Sequence, residues 1–391
     1  MLAFADALDV VLKSAWPIGS ERVGFRHSIN RILAEDVCSD IDTPAFDRSM
    51  VDGFACRRED LGNGLNVIET IKAGVTPTRR IVRGQCAKIM TGAMVPQGAD
   101  CVVMVELARS RGGDVVEFAS GQTGDNICRK GRDLKAGQVV LRKGSRIRAQ
   151  HVAVLASVGQ AEVAVAKRPR VGIIATGGEL VEPEVKPVVS QIRNSNSAQL
   201  AAQVEEAGGI VRDYGMVGDN PAEIDSRVKT AMKDSDVVIV SGGVSVGDFD
   251  YVPEILRKNN VELLFEKVSI KPGKPTVFGI WKGGCCFGLP GNPVATFVVF
   301  ELLVKPFLYK LMGHQYLPVV VPKPVGEAIG GADKERQSWV PVRIAEDGTV
   351  RAVEYHGSAD VVAMCRADGL VCIDAGARRF EAGAVIDVRL I

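Results

Sequence analysis

Val237-Val238-Ile239-Val240-Ser241-Gly242-Gly243-Val244-Ser245-Val246-Gly247 is the stretch on which the fold turns. Four apolar residues in a row, three of them valine, read as a strand buried on both faces, and the Ser-Gly-Gly after them reads as the tight turn that ends it. Val171–Ala175 has the same character and ends in Thr176-Gly177-Gly178-Glu179. Around these two strands the pattern alternates. A helix spans Asn196–Ala207 and is closed by Gly208-Gly209, and Ile210–Met216 is the next strand. Asp219, with Pro221 close behind, signals the start of another helix. A strand at Leu263–Val268, a hairpin-like Pro275–Trp281 and a helix from about Val294 complete the unit. Strands alternating with helices over residues 168–316 predict a doubly wound, largely parallel α/β domain.

The flanks differ in texture. Leu2, Ala3, Ala7, Leu8 and Val11 recur at the helical period, so residues 1–35 read as a helix and a connector. From Asp42 to about Val140, short β-rich runs (Asn66–Ala73, Cys101–Leu107, Asp114–Phe118) alternate with glycine turns. A helix at Ala149–Ser157 and a strand at Ala161–Ala166 follow, so the segments on either side of the β-rich insert can pack as one elongated domain. Beyond the proline-marked linker Leu317-Pro-Val-Val-Val-Pro-Lys-Pro324, short strands (Val340–Ile344, Val350–Glu354, Gly369–Ile373, Val385–Leu390) read as a small β-barrel or sandwich. The expected division is 1–41 with 142–167, 42–141, 168–316 and 317–391.

Bulk properties narrow the function. The chain has 391 residues, which calls for several domains. Its 48 lysines and arginines balance 47 acids, and a net charge of +1 argues against a dedicated nucleic-acid binder. Nine cysteines without a C-x-x-C pair suit neither a disulfide framework nor zinc spacing, so a reducing cytoplasm is expected. The N-terminus lacks a basic n-region, and no apolar run reaches the roughly 18–20 residues that span a bilayer.

Chemistry is expected at the carboxyl ends of the α/β strands. Two glycine loops lie there, Thr176–Glu179 and Ser241–Gly247, the latter leading into Asp248-Phe249-Asp250. Without Cβ atoms, Gly242 and Gly243 let backbone N–H groups approach phosphate oxygens, and Ser245 adds a hydroxyl. Neither loop is a P-loop, and either can be only a turn. Lys267, Lys271 and Lys274 stand in Glu266-Lys-Val-Ser-Ile-Lys-Pro-Gly-Lys-Pro275, which is either a cluster for an anion or a solvated lysine face. Pro290 and Pro293 frame Gly288-Leu-Pro-Gly-Asn-Pro293, either a structural turn or an anion site at a helix start. Glu179, Asp219 and Asp250 supply oxygen ligands for a divalent cation bridging phosphates, although Asp219 and Asp250 also suit helix caps. With only four histidines, none in ligand spacing, zinc or histidine-based nucleophilic chemistry is not expected.

Five motifs, in order along nearly the whole chain, carry a resemblance. They are Phe46-Asp-Arg-Ser-Met-Val-Asp-Gly-Phe-Ala55, Lys88-Ile-Met-Thr-Gly-Ala-Met-Val-Pro96, Ser241–Tyr251, Ile270-Lys-Pro-Gly-Lys-Pro275 and Gly288–Pro293. Together they resemble the molybdopterin molybdenumtransferase family, to which bacterial MoeA and the gephyrin E domain belong. The resemblance implies a stalk, a β-rich lid, a molybdopterin-binding α/β domain and a C-terminal β-barrel, in a homodimer whose cleft is shared between subunits. It implies that molybdate is inserted into adenylylated molybdopterin with Mg²⁺-dependent hydrolysis of the adenylate, giving molybdenum cofactor and AMP. Other proteins of molybdenum-cofactor biosynthesis are then expected partners, and neither nucleic acid nor membrane is.

By position in the family's motifs, Asp52 and Thr91 match the acid and hydroxyl of the insert, and Asp133 matches another acidic position. Glu179, Asp219 and Asp250 match the acids that handle metal and cofactor. Lys267 and Lys271, with Lys274 beside them, match the basic lining of the molybdate and phosphate region, and Arg336 and Ser358 are candidate anion contacts. The family's common Thr-Gly-Asp-Glu is Thr176-Gly-Gly-Glu179 here, and its Arg-Asp-Ser-Asn is Arg193-Asn-Ser-Asn196, so two carboxylates are missing. Rival readings are a molybdopterin adenylyltransferase, a tungstate insertase and a non-catalytic scaffold like gephyrin. A scaffold has no need of clustered acids.

Overall fold

The computed structural model describes residues 1–245, 247, 250–330, 333–354, 356–377 and 379–391. The first helix, α1 (Phe4–Lys13), buries Ala7 and Val11, which are four residues apart and therefore on one face. Strand β1 (Ser20–Gly24) follows. The insert then contributes β2 (Gly53–Cys56), β3 (Leu65–Ile71), β4 (Gln85–Ile89), β5 (Cys101–Met104), β6 (Ala108–Gly112) and β7 (Val115–Phe118). They form one sheet in the order β5-β2-β4-β3-β7-β6, in which only β3 and β4 run parallel. After the insert come α2 (Ala149–Ser157) and β8 (Glu162–Ala166), and β8 pairs antiparallel with β1 across the whole insert. Residues from both sides of the insert, including Leu33, Val37, Leu155 and Val163, share one core.

The α/β unit runs β9 (Arg170–Thr176), α3 (Ser195–Glu206), β10 (Ile210–Val217), α4 (Pro221–Asp234), β11 (Val237–Ser241) and α5 (Val252–Lys258). It continues with β12 (Glu262–Phe265), β13 (Ile270–Lys271), β14 (Val277–Trp281), β15 (Gly284–Leu289), α6 (Pro293–Val299) and α7 (Lys305–Leu311). Sheet order is β10-β9-β11-β15-β14-β12, with β10, β9, β11 and β15 parallel and the β14–β15 hairpin antiparallel. The expected doubly wound architecture is therefore met. The uninterrupted apolar runs follow from burial on two faces. Val171, Ile173, Val237, Ile239 and Phe287 pack into one core with α3, α6 and α7, while Ile174, Val238, Val240 and Cys286 pack into the other with α4 and α5. Each such side chain contributes about 1.5–3 kcal/mol by leaving water.

Two details depart from the sequence reading. The cap of α4 is Asn220, whose Oδ1 accepts from Ala222 N (3.0 Å) and Glu223 N (3.4 Å), and Asp219 does not cap it. The strand read at Leu263–Val268 ends at Phe265, and the chain then leaves this sheet altogether. Its next strand, β13, pairs with β17 (Gln337–Ile344) of the C-terminal domain, with Ile270 opposite Gln337 and Lys271 opposite Ser338. That domain adds β16 (Val320–Pro324), β18 (Val350–Ala352), the short helix α8 (Val361–Met364), β19 (Gly369–Ile373) and β20 (Val385–Leu390). Its sheet reads β13-β17-β19-β20-β16, with β18 against β17. Among the described residues, no helix is long and apolar enough to cross a membrane.

Candidate functional site

The chain leaves β9 on one side to build β10 and returns past it to build β11, so the sheet's switch point lies between β9 and β11. A crevice is expected at the carboxyl ends of the strands there. A cavity of about 380 Å³ opens at that place, lined by the ends of β9 (Ala175, Thr176) and β11 (Ser241), by Asn194–Asn196 at the start of α3, and by Gly291–Pro293. Glu179 and Arg193 add one carboxylate and one guanidinium, and Ala359 and Val361 close it from the C-terminal domain. A larger cavity, about 840 Å³, lies between the end of α1 and the turn after α7. Its lining is mainly apolar, with Lys143, Lys310 and His314 but no carboxylate, so it offers little to a cation, and it lies away from the carboxyl ends of the α/β strands.

The floor is an amide and hydroxyl network. Asn196 is buried, and its Nδ2 donates to Ser241 Oγ (2.8 Å) and to Gly291 O (2.7 Å), tying α3 to the ends of β11 and β15. Its Oδ1 has no partner among the described residues. A buried acceptor without a donor costs about 1–3 kcal/mol, and it adjoins a cavity that could supply one. Asn194 Oδ1 accepts from Ser197 N (3.1 Å) and is the N-cap of α3. The amide that stands where an acid is common in the family thus serves helix α3. Neither Asn194 nor Asn196 figures among the expected site residues. An Asn-Ser-Asn run opening a helix was the signal that could have marked them.

Gly242 and Gly243 adopt φ of +96° and +64°, and a Cβ on Gly242 would fall 2.4 Å from Thr176 O. Glycine is required there because β9 and β11 end in contact. Of the rest of that loop, Ser245 is exposed, and Val246, Asp248 and Phe249 lie outside the described residues. Asp250 Oδ2 accepts from Gly247 N (2.7 Å), so this carboxylate closes its own loop and does not cap α5.

The other two acids flank one peptide. Asp219 Oδ2 accepts from Gly178 N (3.1 Å), and the Glu179 carboxylate folds back over Gly177. A Cβ on Gly178 would meet Asp219 Oδ2 at 3.1 Å, so an acid at this position would crowd the one already there. Among the described residues, no three His, Cys, Asp or Glu side chains converge as a ready cation site, and the expected trio of Glu179, Asp219 and Asp250 is therefore not assembled. Glu179 and Asp219 nevertheless suit Mg²⁺, which takes one or two carboxylates and completes its shell with water and substrate phosphate.

The lysines do not line the cavity. Lys267, Lys271 and Lys274 are exposed on the excursion that carries β13 to the C-terminal sheet, where Lys267 O accepts from Leu2 N and Lys274 O from Val268 N, each at 3.0 Å. Lys271 Nζ lies 4.0 Å from Asp333 Oδ2, and Arg336 Nη2 lies 2.5 Å from the same oxygen. The structure thus brings Lys271 and Arg336 together, through a residue absent from the expected set. Ser358 reaches the Pro290–Pro293 turn: its Oγ accepts from Asn292 Nδ2 (2.9 Å) and its carbonyl from Val294 N (3.0 Å). Pro293 is the first residue of α6, and Pro290 O accepts from Thr296 Oγ1 (2.5 Å).

Asp52 and Thr91 form a third centre, in the insert. Because β2 and β4 are antiparallel with Gly53 opposite Ile89, the residue before one strand meets the residues after the other. Gly53 permits the third strand to close in, since a Cβ there would sit 1.9 Å from Val103 O. The hydrogen bond from the Thr91 backbone, then that from its hydroxyl, holds the Asp52 carboxyl below its ordinary value of 3.8. Asp133 is exposed, its backbone N donating to Thr43 O (3.0 Å).

Comparison with known proteins gives these centres a common context. The profile of the MoeA N-terminal region (domain I and II) matches residues 2–159, that of the "Probable molybdopterin binding domain" matches 172–310, and that of the MoeA C-terminal region (domain IV) matches 331–391. The chain belongs to the molybdopterin molybdenumtransferase family. It is 37% identical to the molybdopterin molybdenumtransferase of Staphylococcus epidermidis over 399 residues, covering 100% of this chain and 95% of that one. It is 37% identical to the Bacillus subtilis enzyme of the same name over 390 residues, covering 95% and 90%. The crystal structure of the molybdopterin biosynthesis MoeA protein of Pyrococcus horikoshii OT3 superposes with a TM-score of 0.87 at 31% identity over 100% of both chains. As a molybdopterin molybdenumtransferase family member, the chain is an enzyme of molybdenum-cofactor biosynthesis, and a scaffold reading is set aside.

Proposed function

We propose that the protein inserts molybdate into adenylylated molybdopterin, with Mg²⁺-dependent hydrolysis of the adenylate to AMP, and that the cavity between β9 and β11 receives the nucleotide end of that substrate. The observation that carries the reading is the cavity itself. The Asn196 amide meets the Ser241 hydroxyl and the Gly291 carbonyl there, at the switch point of the sheet, and leaves its own Oδ1 as an acceptor. Such a floor binds a phosphate-linked nucleotide without a protein nucleophile, by position and electrostatics.

Glu179 and Asp219 would hold Mg²⁺, which when bound offsets the charge of the diphosphate. Glu179 lines the cavity, and Asp219 is held near it on the Gly178 N–H. The glycine loop with Gly242, Gly243 and Ser245 starts from Ser241, which lines the cavity, and would approach the phosphates from there. Lys271 and Arg336, with Lys267 and Lys274 nearby in the chain, would take molybdate, a tetrahedral dianion, and Ser358 would contact an anion from the Pro290–Pro293 turn. Asp52 and Thr91 are not among the residues lining the cavity. We assign them to the cleft of a homodimer, where the insert of a second copy brings its acid over the first copy's nucleotide, and Asp133 goes with them. The four-part division at 1–41 with 142–167, 42–141, 168–316 and 317–391 belongs to the same reading, as does a cytoplasmic location.

The test is AMP release from purified protein given adenylylated molybdopterin, Mg²⁺ and molybdate, with molybdenum cofactor measured in parallel. Molybdate-dependent AMP release with cofactor formation is expected. AMP formation that ignores molybdate, or product formed only with ATP, would refute it.

A further inference from the structure

Two cations expected to receive an incoming anion are already engaged by a carboxylate of the same chain. Arg336 Nη2 lies 2.5 Å from Asp333 Oδ2 and Lys271 Nζ lies 4.0 Å from it. We propose that Asp333 is an internal competitor for the oxyanion, occupying Lys271 and Arg336 until a dianion displaces it and thereby excluding monoanions. The inference rests on the assignment of molybdate to Lys271 and Arg336 made above.

Asp333 is held in place by more than its two cations. Its Oδ1 accepts from Glu335 N (3.1 Å), its backbone N donates to Ser338 Oγ (3.4 Å) and its carbonyl accepts from Gly376 N (3.0 Å). Lys271 is delivered from the other side by its register opposite Ser338 in the β13–β17 pair. Backbone bonds of two different segments therefore set the three charges together. If Asp333 served only to orient Arg336, its approach to Lys271, which belongs to another strand, would have no purpose.

The charge count gives the consequence. Lys271 and Arg336 carry two positive charges and Asp333 removes one, so an arriving anion meets a net of about +1 until the carboxylate yields. A monoanion gains from these cations no more than the carboxylate already does. A tetrahedral dianion gains about twice as much at the same distance, because the Coulomb energy scales with the charge. Selection by charge follows, with no need for a pocket shaped to each ion. The Arg336 hydrogen bond, followed by that from Glu335 N, depresses the Asp333 pKa to about 2. The competitor is therefore charged throughout the neutral range.

Asp333→Asn is the test, since the amide oxygen still accepts from Glu335 N while the charge is lost. Molybdate binding to the full-length protein without nucleotide is measured by titration calorimetry, with nitrate as the monoanion probe and Lys271→Ala as the control for location. A molybdate Kd about ten- to hundredfold lower in the variant, with nitrate binding becoming measurable, is the expected result. In turnover, KM for molybdate should fall and KM for the adenylate should not. Unchanged or weaker molybdate binding in the variant, while Lys271→Ala abolishes wild-type binding, would overturn the proposal and leave the anion site standing. Binding that ignores Lys271 in every variant would remove the anion assignment itself. Asp333→Ser, which also retains an acceptor for Glu335 N, serves if the asparagine variant does not fold.

Discussion

Thr91 gives both its backbone N–H (2.6 Å) and its hydroxyl (2.8 Å) to a single oxygen of Asp52. The two bonds join the β2 and β4 ends of the insert through one carboxylate oxygen. Both lower the pKa of Asp52, so the group is an acceptor, and not an acid, at neutral pH.

Replacing Asp52 with Asn keeps one acceptor for Thr91 and removes the charge. The variant should fold normally and lose cofactor formation by at least about 100-fold, the usual scale for a positioned acid or base. Thr91→Val removes only the hydroxyl. The Asp52 pKa should then rise toward 3.8 as the second-ranked of its two Thr91 bonds is lost, which a carboxyl-carbon NMR titration would read directly. Because a depressed carboxylate stabilises the fold above its unfolded pKa and loses that effect as pH falls, any stability difference between Thr91→Val and wild type that comes from this carboxylate should be full above about pH 4 and fade as pH falls below it.

Asn196 should be intolerant of truncation for two separable reasons. Asn196→Ala leaves Ser241 Oγ and Gly291 O without their donor and opens the floor of the cavity. A loss of about 1–3 kcal/mol in urea unfolding is expected, with AMP binding weakened beyond what unfolding explains. Normal AMP affinity in a folded Asn196→Ala protein would place the nucleotide elsewhere.

Glu301 and Lys305 form a buried pair at 2.8 Å one helical turn apart, and Gln203 Nε2 donates to the other Glu301 oxygen at 3.0 Å. Burial alone would lower the Lys305 pKa, and Glu301 more than offsets it, so the value lies above the ordinary 10.5. Lys305→Met strands a buried carboxylate and should cost about 3–5 kcal/mol, while the double variant Glu301→Gln with Lys305→Met should recover most of it. A group whose folded pKa is raised stabilises below its unfolded value and loses that effect as pH rises. The wild type should accordingly lose stability above about pH 10.5 more steeply than the double variant, as followed by circular dichroism.

How much of this could be read beforehand depends on what sets each feature. β9 and β11 were legible because burial on both faces demands unbroken apolar runs. β2 and β4 were not: Gly53-Phe-Ala-Cys56 and Gln85-Cys-Ala-Lys-Ile89 offer one β-branched residue between them, and their strand character comes from lying at the centre of the insert sheet. The lysine excursion was seen as a site but placed at the wrong sheet. A two-residue strand such as β13 has no periodicity, and its partner lies 67 positions away at Gln337. Asp333 has no signal of its own in the chain, because its importance comes from what the register of β13 brings to it.

Asp219 and Asn220 are adjacent acceptors that the sequence could not rank, and the structure divides their work. Asn220 receives two N–H groups of the first turn of α4, and Asp219 receives the N–H of Gly178 across the cleft edge. Asn220→Ala should therefore cost about 1 kcal/mol of stability and leave the Mg²⁺ requirement unchanged. Asp219→Asn keeps an oxygen for Gly178 and should leave stability within about 0.5 kcal/mol. It removes a charged cation ligand, however, so the Mg²⁺ concentration for half-maximal AMP release should rise about 10- to 100-fold. The reverse pattern, an unstable Asp219→Asn with normal Mg²⁺ dependence, would return Asp219 to a capping role and leave Glu179 as the cavity's one metal-binding carboxylate among the described residues.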